Sequence, residues 1–419
     1  MSGPGSSQTG SNQPGASSSD SRESGIGQSD SRRAASSLEL FLDLAFVFAI
    51  SQIATYLAEH LTVAGSLRAL LLAWFAWWQW TAFTWAGATI DLKERGPIRV
   101  MVLCLVPVVL ICSVALPRAL ADEPLWFAGA YCLIQLWVLS IQWVATAANP
   151  EGQAALRKYV PLAAIAPLVL LGSAFLPETP RLWAWIVVAL TFAGSALAAG
   201  KGEVGEWSVT ASHFAERHSL FIIIALGEVL VAIGVNSAER TDMSALGVGA
   251  LIAASAVACS LWWAYFAYIP EVFEHALEAA SPTERGRVAR DVGSFIHFPL
   301  VCGIIVFAVL AEHVVHSPRK HFDTAEQVLL AGAAVLLIGG FMAIQWRLSR
   351  TVSTVRLTGL ASILLLAVVS GVVPGLVSMV CLAVILGTTA KMSAQRFATS
   401  PMAAALQKTN PNDSRTSTD

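Results

Sequence analysis

Charged side chains are scarce in this sequence. Only 13% of its 419 residues are Asp, Glu, Lys or Arg, whereas about 25% are charged in a soluble globular protein. So few charges cannot cover a water-exposed surface. The chain also lacks a basic excess, because 26 Lys and Arg residues stand against 28 Asp and Glu residues, and a protein that binds nucleic acid needs that excess. These shortages exclude an ordinary soluble enzyme and a nucleic-acid-binding protein.

Paired cysteines and familiar catalytic motifs are missing as well. The six cysteines form no CxxC pair and fall within apolar stretches, which indicates neither a disulfide framework nor a thiolate metal site. His213 and Glu216 have the spacing of a metal-binding pair, but no second pair completes a site. We find no nucleophile motif, metal signature or phosphate-binding loop. We therefore predict no catalytic residue, no bound metal and no cofactor.

Long apolar runs are what the sequence contains instead. Apolar residues make up 55% of the chain, and they recur in runs of roughly 17–25 residues, the length with which a helix crosses ~30 Å of hydrocarbon. The runs are continuous rather than alternating, so the spans are helices and not barrel strands. We predict an all-α polytopic membrane protein of about 12 transmembrane helices. The predicted spans are 39–58, 67–90, 98–117, 124–146, 159–176, 181–199, 217–236, 244–268, 293–315, 325–346, 354–371 and 374–391.

Two polar segments flank this membrane region. Residues 1–37 are rich in Ser and Gly, and residues 397–419 are polar and unpatterned, so both are predicted to be disordered tails around a transmembrane domain at 38–391. Of the 26 basic residues, 20 fall on the side of the predicted spans that carries the tails and 6 on the other side. Basic residues accumulate on the cytoplasmic side. We therefore expect a multi-pass protein of the inner (plasma) membrane with both termini in the cytoplasm.

The two halves of the membrane region resemble each other. The first span begins ELFLDLAFVFAISQIA and the seventh ERHSLFIIIALGEVLVAIG, and the fourth and tenth spans both end in Ile-Gln-Trp. Six spans in each half mean that both halves enter the membrane from the same side. We therefore predict two parallel six-helix repeats, at 38–199 and 213–391, an arrangement found in transporter folds. Chance similarity among apolar helices is the alternative explanation.

Glu228 is predicted to lie near the middle of the membrane. It follows Glu216 by 12 residues, which places it ~18 Å into a slab of ~30 Å. An acid at that depth is costly and is a hypothesis for a functional site that binds a proton, a cation or a substrate. A hydrogen-bonded carboxyl that only packs helices is the structural alternative. Gln52 lies at a similar depth in the matching repeat position.

Other ionisable residues gather where the first and seventh spans begin. Glu39 and Asp43 are four residues apart and share one helix face, although their favourable interaction with the helix dipole supplies a purely structural explanation. Glu216 and Arg217 point about 100° apart on a helix. Arg217 is therefore expected to pair with Asp43 or Glu39 rather than with its neighbour, and His218 lies beside it.

Aromatic residues and a histidine complete the predicted site. Trp262, Trp263 and Tyr265 belong to a dense aromatic stretch of the eighth span. They either line a cavity, where indole N–H groups and cation–π faces bind a ligand, or pack without further function. His297 lies one turn into the ninth span and is a candidate partner in a proton relay.

These segments resemble a known family. ELFLDLAFVFAISQ, HFAERHSLFIIIALGEVLVAIG, LWWAYFAY and IHFPLVCGII together are similar to the bacterial low temperature requirement A family over residues 38–391. The resemblance implies a multi-span membrane protein without a defined reaction. Two positions depart from the family pattern, because only Asp91 remains of an expected polar group and Ala267 replaces an expected acid. The characteristic positions of the family fall on Glu39, Phe41, Asp43, Glu216, Arg217, His218, Gly227, Glu228, Trp262, Trp263, Tyr265 and His297.

Three classes of function are consistent with the sequence. Transport or ion conduction through a duplicated helical core is favoured by the repeat and by Glu228, and FLDLAFVFAISQI is also similar to the motif opening each repeat of the lysosomal-type potassium channels. The alternatives are a membrane-embedded enzyme acting on a lipid or isoprenoid-like substrate, and a structural or sensory membrane protein. The expected partners are the lipid bilayer, a small cation, proton or small-molecule substrate, and a second copy of the chain in a homo-oligomer, but no nucleic acid.

Overall fold

The computed structural model describes residues 36–89, 96–147, 150–199, 210–238 and 244–409. These residues form an almost entirely helical structure, and the loops between the helices are short. In chain order the helices are α1 (Ser37–Glu59), α2 (Val63–Thr89), α3 (Gly96–Ala115), α4 (Pro124–Ala145), α5 (Pro150–Ser173), α6 (Glu178–Ala199), α7 (Ala211–Ala238), α8 (Ala245–Phe266), α9 (Ile269–Ala279), α10 (Pro282–Val288), α11 (His297–His316), α12 (Thr324–Ser349), α13 (Thr354–Val369), α14 (Gly375–Ala398) and α15 (Pro401–Thr409).

The prediction of an all-α, multi-span membrane protein is confirmed. A helix lies at each of the twelve predicted spans, and nine helices in the described part of the chain are long and apolar enough to cross a membrane. The other three predicted spans correspond to α2, α5 and α13. Tryptophans and a glutamine lower the mean hydropathy of α2, the apolar part of α5 is limited to Ala163–Ser173, and α13 is short.

Exposed tryptophans mark the two edges of the apolar surface. Trp126 and Trp143 lie near opposite ends of α4 and are 66% and 40% exposed. They are 17 residues apart, which is about 26 Å along a helix and close to the hydrocarbon thickness of a bilayer. Trp183 and Trp346, near the ends of α6 and α12, are also exposed. Tryptophan is enriched at both membrane–water interfaces, so these positions fit a protein surrounded by lipid.

The core of the molecule lies where four helices meet. Helix α1 packs against α2, α3, α7 and α11, and α7 in turn contacts α2, α8, α9 and α11. In the first half α3, α4, α5 and α6 pack in sequence, and in the second half α11, α12, α13 and α14 do the same. The helices α1, α2, α7 and α11 therefore surround the centre, while the later helices of each half lie further out.

Three short helices differ from the sequence-based expectation. Helices α9 and α10 occupy the connection between α8 and α11, and the turn of Ala289–Ile296 that leads into α11 is a π-helix. Helix α15 forms within the segment predicted to be a disordered tail, and it packs against α9 and α14. Its alanines, leucine, glutamine and lysine are strong helix formers. Residues 1–35 and 410–419 of the two predicted tails lie outside the described residues.

Candidate functional site

The first helix begins with a hydrogen-bonded cap that also orients an acidic side chain. Ser36 precedes α1, and its hydroxyl oxygen accepts a hydrogen bond from the Glu39 N–H at 3.3 Å. The carboxylate of Glu39 reaches back, and its Oε2 accepts from the N–H and the hydroxyl of Ser36, both at 2.8 Å. This capping box satisfies donors at the helix start. It also directs the second oxygen of Glu39 towards α7.

Two pairs of ionisable residues join α1 to α7. His213 Nε2 lies 3.0 Å from Glu39 Oε1, and Arg217 Nη2 donates to Asp43 Oδ1 at 2.8 Å. Arg217 Nη1 also lies 3.5 Å from Glu39 Oε1. The two acids and the two bases are each spaced i,i+4, so both helices present matching pairs one turn apart. All four side chains are at most 1% exposed.

These four residues, Glu39, Asp43, His213 and Arg217, form what we call the buried charge cluster. The expectation that Arg217 pairs with Asp43 or Glu39 is confirmed. Full burial means that the carboxylates are not simply solvated groups at a helix end. Charged groups lose their hydration when buried, so they have to be compensated by partners within the protein.

Helix α2 closes the buried charge cluster with aromatic side chains. Trp80 Nε1 donates to Asp43 Oδ1 at 2.9 Å. The guanidinium carbon of Arg217 lies 5.9 Å from the ring centroid of Trp80 and 5.7 Å from that of Phe83. At these distances the ring faces attract the cation. Trp80 thus contacts both charges of the Asp43–Arg217 pair, and it shields them from lipid and water.

Several polar atoms of the buried charge cluster have no hydrogen-bond partner among the described residues. They are Asp43 Oδ2, His213 Nδ1, and Nε and Nη1 of Arg217. Buried polar atoms in proteins are nearly always paired, and the exceptions coincide with bound water, ions or functional groups. The described part of the chain contains no group of three His, Cys, Asp or Glu side chains arranged to hold a metal ion.

A second group of buried polar side chains, the histidine pair, contains His218 and His297. Their ring centroids are 5.0 Å apart. The Nδ1 atoms of both rings donate to backbone carbonyls, that of His218 to Phe214 at 2.8 Å and that of His297 to Val292 at 2.7 Å. Nε2 of His297 lies 2.8 Å from the hydroxyl of Tyr265. In the neutral form of His297 the proton is on Nδ1, and Nε2 accepts from this hydroxyl.

The π-helical turn before α11 positions His297. Two tryptophans of α2 hold this turn through Ser294, because Trp77 Nε1 donates to its carbonyl at 2.7 Å and Trp85 Nε1 to its hydroxyl at 2.9 Å. The ring of Trp80 lies edge-on to His218, with centroids 5.0 Å apart. Helix α2 therefore connects the histidine pair with the buried charge cluster. Single π-helical turns occur frequently at functional sites.

Glu228 lies on the same side of α7 as Arg217, but deeper along the helix. Eleven residues separate the two, which corresponds to about 20° around the helix and about 16 Å along it. Glu228 is partly exposed, and it forms no hydrogen bond or ion pair with any described residue. Along α7, Glu228 lies in the middle third of the helix, and its depth in the membrane stays a prediction.

Apolar side chains separate Glu228 from the buried charge cluster. A small cavity at this level is lined by residues of α1, α2, α7 and α11, among them Phe46, Trp77, Phe221 and Phe298. The cavity lining contains almost no polar atom. The core of the four helices therefore has two polar levels with an apolar layer between them.

The remaining predicted site residues lie elsewhere. Trp262 and Trp263 are 50% and 54% exposed on the outer surface of α8, so they do not face the core, although Tyr265 on the same helix does. Leu261, the residue before them, is buried. Successive residues of a helix are about 100° apart, so Trp262 and Trp263 point away from the side on which Leu261 packs. Gln52 and Glu216 are partly exposed. The departure at Asp91 lies outside the described residues, and Ala267 ends α8.

Three residues of the site were not identified as such from the sequence: His213, Trp80 and Ser294. The spacing of His213 and Glu216 indicates a metal-binding pair rather than a contact between His213 and Glu39. The signal for its role was present, because His213 and Arg217 repeat the i,i+4 spacing of Glu39 and Asp43. Two helices with matching acidic and basic pairs favour a contact between them. Nothing in the local sequence of Trp80 or Ser294 distinguishes them from their neighbours.

Comparison with known proteins gives the following matches. A family model described as bacterial low temperature requirement A protein matches residues 34–391. An uncharacterized protein of Rhizobium meliloti (strain 1021) is 28% identical over 322 residues, which cover 74% of this chain and 76% of that protein. No solved structure matches the chain significantly. The matched residues include the buried charge cluster, the histidine pair and Glu228.

Proposed function

Because the chain belongs to the bacterial low temperature requirement A family, whose name specifies no reaction, we propose its activity from the geometry of the core: it moves a small cation, a proton or a small polar molecule across the membrane between α1, α2, α7 and α11. The observation that carries this proposal is the buried charge cluster. Two acids and two bases are at most 1% exposed at the contact between two central helices of a membrane protein.

A purely structural role does not account for this arrangement well. Apolar residues of similar volume hold helices together as well as a buried ion pair does, and frequently better. Ionisable residues inside membrane proteins instead mark substrate and ion pathways and proton relays. The polar atoms of Asp43, His213 and Arg217 that lack partners in the described structure point the same way.

Glu228 supplies a second polar level in the proposed pathway. It faces the same side of α7 as Arg217 and makes no hydrogen bond or ion pair with the described residues, so none of these residues competes with a ligand for its carboxyl. The apolar layer around Phe46 and Phe221 lies between the two levels. An apolar constriction of this kind closes a pathway by excluding water. In our proposal the structure represents the closed state, and opening moves α1 relative to α7.

The order of helix packing supports the proposed duplication. Helix α1 packs against α2 and α3 as α7 packs against α8 and α11, and the chain of contacts from α3 to α6 matches that from α11 to α14. We therefore propose two parallel six-helix repeats, 38–199 and 213–391, with α1 and α7 at their common axis and both termini in the cytoplasm. Helices α2, α5 and α13 then complete a set of twelve spans with the other nine.

Flux through the purified protein tests this function. The full chain is reconstituted into liposomes, and the movement of protons, Na⁺ and K⁺ is followed under imposed gradients. We expect flux of at least one of these ions, and we expect Glu228→Gln to reduce it at least tenfold. Glu312→Gln near the end of α11 is the matched control and should leave the flux unchanged. A folded protein that passes none of these ions under any gradient would contradict the proposal and favour a structural role.

A further inference from the structure

We propose that the ion bound by the buried charge cluster is a proton, shared between His213 and Glu39, and not a metal cation. This inference rests on the proposed function and specifies the ion that the same site takes. It follows from the charge of the cluster, from the donors that surround its carboxylates, and from the unused nitrogen of His213.

The charges of the cluster balance only when one proton is bound. Glu39 and Asp43 carry two negative charges when ionised, and Arg217 supplies one permanent positive charge. One negative charge then stays uncompensated at a site that is at most 1% exposed. A proton on His213, 3.0 Å from Glu39 Oε1, makes the cluster neutral. Because an unpaired buried charge is strongly unfavourable, the geometry favours retention of that proton.

The carboxylate oxygens are already engaged by hydrogen-bond donors. Glu39 Oε2 accepts from the N–H and hydroxyl of Ser36, while Glu39 Oε1 faces His213 and Arg217. Asp43 Oδ1 accepts from Trp80 and Arg217. Of these four oxygens, only Asp43 Oδ2 has no donor among the described residues. Hard metal cations take six or more oxygen ligands, and a guanidinium this close would repel them, whereas a proton needs only one basic atom.

His213 has a free atom through which the proton can leave. Its Nε2 faces Glu39, while its Nδ1 is buried without a hydrogen-bond partner among the described residues. In the imidazolium both ring nitrogens carry a proton. A water molecule or a neighbouring group that approaches Nδ1 can take the proton of that atom, which leaves a neutral imidazole whose remaining proton is on Nε2 and faces the ionised Glu39. The next proton binds at Nδ1 and restores the imidazolium.

The groups that influence this proton come from the helices that pack against α7. Helix α8 contributes Tyr265, whose hydroxyl lies 2.8 Å from Nε2 of His297. Helix α1 contributes Glu39 and Asp43, α7 itself contributes Arg217 and His218, and α11 contributes His297. Helix α2 presents aromatic rings and no ionisable side chain to the cluster. Helix α9, which also packs against α7, carries these further titratable residues: Glu271, Glu274, His275 and Glu278.

Proton binding is tested directly by nuclear magnetic resonance of the full chain in nanodiscs with isotope-labelled histidine side chains. At pH 7 the ring nitrogen signals of His213, identified by their loss in His213→Gln, should be those of a protonated imidazole. In Glu39→Gln they should be those of the neutral ring, because the carboxylate that stabilises the imidazolium is removed. His60→Gln, at the exposed end of α1, is the control and should leave the His213 signal unchanged. A His213 ring that is neutral at pH 7 in the unsubstituted protein would overturn the inference.

Flux measurements separate the failure of this inference from the failure of the proposed function. In liposomes we expect a proton flux that persists when Na⁺ and K⁺ are replaced by a large organic cation, and that falls at least tenfold in His213→Gln and in Glu39→Gln. A flux of Na⁺ or K⁺ without protons would overturn the proton site but keep the proposed function. A protonated His213 without any flux would keep the proton site and overturn transport. Glu39→Gln serves if His213→Gln fails to fold.

Discussion

The guanidinium of Arg217 donates to Asp43 Oδ1 at 2.8 Å although the two residues are 174 positions apart in the chain. Neither side chain has measurable exposure. The contact joins the first helix of the first half to the first helix of the second half, so the two halves are held together by an ion pair at the centre of the molecule. Whether this ion pair raises or lowers the free energy of unfolding can be measured by substitution.

Removing one partner of this pair should destabilise the protein strongly. Arg217→Met leaves Asp43 buried without its cation, and we expect the free energy of unfolding in detergent to fall by about 3–5 kcal/mol. The double variant Arg217→Met/Asp43→Leu removes both charges and should regain most of that loss. Denaturant unfolding followed by circular dichroism measures both effects.

The surface pair Arg68–Glu178 provides the control for this comparison. Its side chains are 37% and 52% exposed, and Arg68→Met should cost about 1 kcal/mol or less. If the double variant were as unstable as Arg217→Met, the Asp43–Arg217 pair would contribute net stability. The view that its role is functional would then lose its main support.

Two glycines in neighbouring helices should respond to alanine in opposite ways. A Cβ at Gly87 in α2 would lie 2.6 Å from Glu39 Oε1, while a Cβ at Gly129 in α4 meets nothing within 4 Å. Gly87→Ala therefore displaces Glu39 and should destabilise the protein by about 1–3 kcal/mol. Gly129→Ala should stabilise it by up to about 1 kcal/mol, because alanine has the higher helix propensity.

Thermal unfolding of the two variants side by side provides the measurement. Gly87→Ala should also change the nuclear magnetic resonance signals of the His213 ring, since the displaced carboxylate is its partner, whereas Gly129→Ala should not. Equal effects of the two substitutions on stability and on His213 would show that Glu39 adapts without cost.

Much of the fold could be predicted because membrane helices have a strong local signal. Continuous apolar runs locate the helices at the twelve predicted spans, since every backbone polar group must be satisfied within the span. The pairing of Arg217 with Asp43 or Glu39 could also be predicted, because a buried charge requires an opposite charge. The π-helical turn before His297 could not, since it depends on hydrogen bonds from Trp77 and Trp85 to a residue more than 200 positions away.

The site was harder to predict than the fold. Glu228 was identified by depth alone, whereas the buried charge cluster depends on which faces of α1, α2 and α7 meet. Trp262 and Trp263 lie in an aromatic, apolar stretch of sequence, as Trp77 and Trp80 do. Nevertheless Trp262 and Trp263 face outward, whereas Trp77 and Trp80 are buried. The hydrophobic pattern of an all-apolar helix does not distinguish a lipid-facing side from a packed side.

Both termini are expected on the cytoplasmic side. In a variant without the six native cysteines, a single cysteine at His321, in the loop between α11 and α12, should react with a membrane-impermeant maleimide in intact cells. A cysteine at Ser281, between α9 and α10, should react only after the membrane is opened. Both positions are exposed, so the difference reports the side of the membrane. The reverse labelling pattern would place the buried charge cluster at the outer side.

The cap of α12 should make stability depend on pH. Asp323 Oδ1 accepts from the Glu326 N–H at 3.0 Å, and Glu326 Oε2 accepts from the Asp323 N–H at 2.7 Å. The backbone hydrogen bond from Glu326 lowers the pKa of Asp323 below its ordinary value. The ionised carboxylate therefore stabilises the folded state above the ordinary Asp pKa of about 3.9, and this contribution disappears as the pH falls through the lower folded-state value. At pH 7 Asp323→Ala should cost about 1 kcal/mol.

Comparison of Asp323→Ala with Asp323→Asn isolates the effect of ionisation. Asparagine also caps a helix, so Asp323→Asn should be close to the unsubstituted protein, and its stability should lack the pH dependence. The difference between the alanine variant and the unsubstituted protein should shrink from pH 7 to pH 3 in denaturant unfolding. Asp122→Ala, at an exposed turn before α4, is the control and should have little effect at either pH. A constant difference for Asp323→Ala across this range would mean that the hydrogen bond from Glu326 stabilises the neutral and the ionised carboxyl equally.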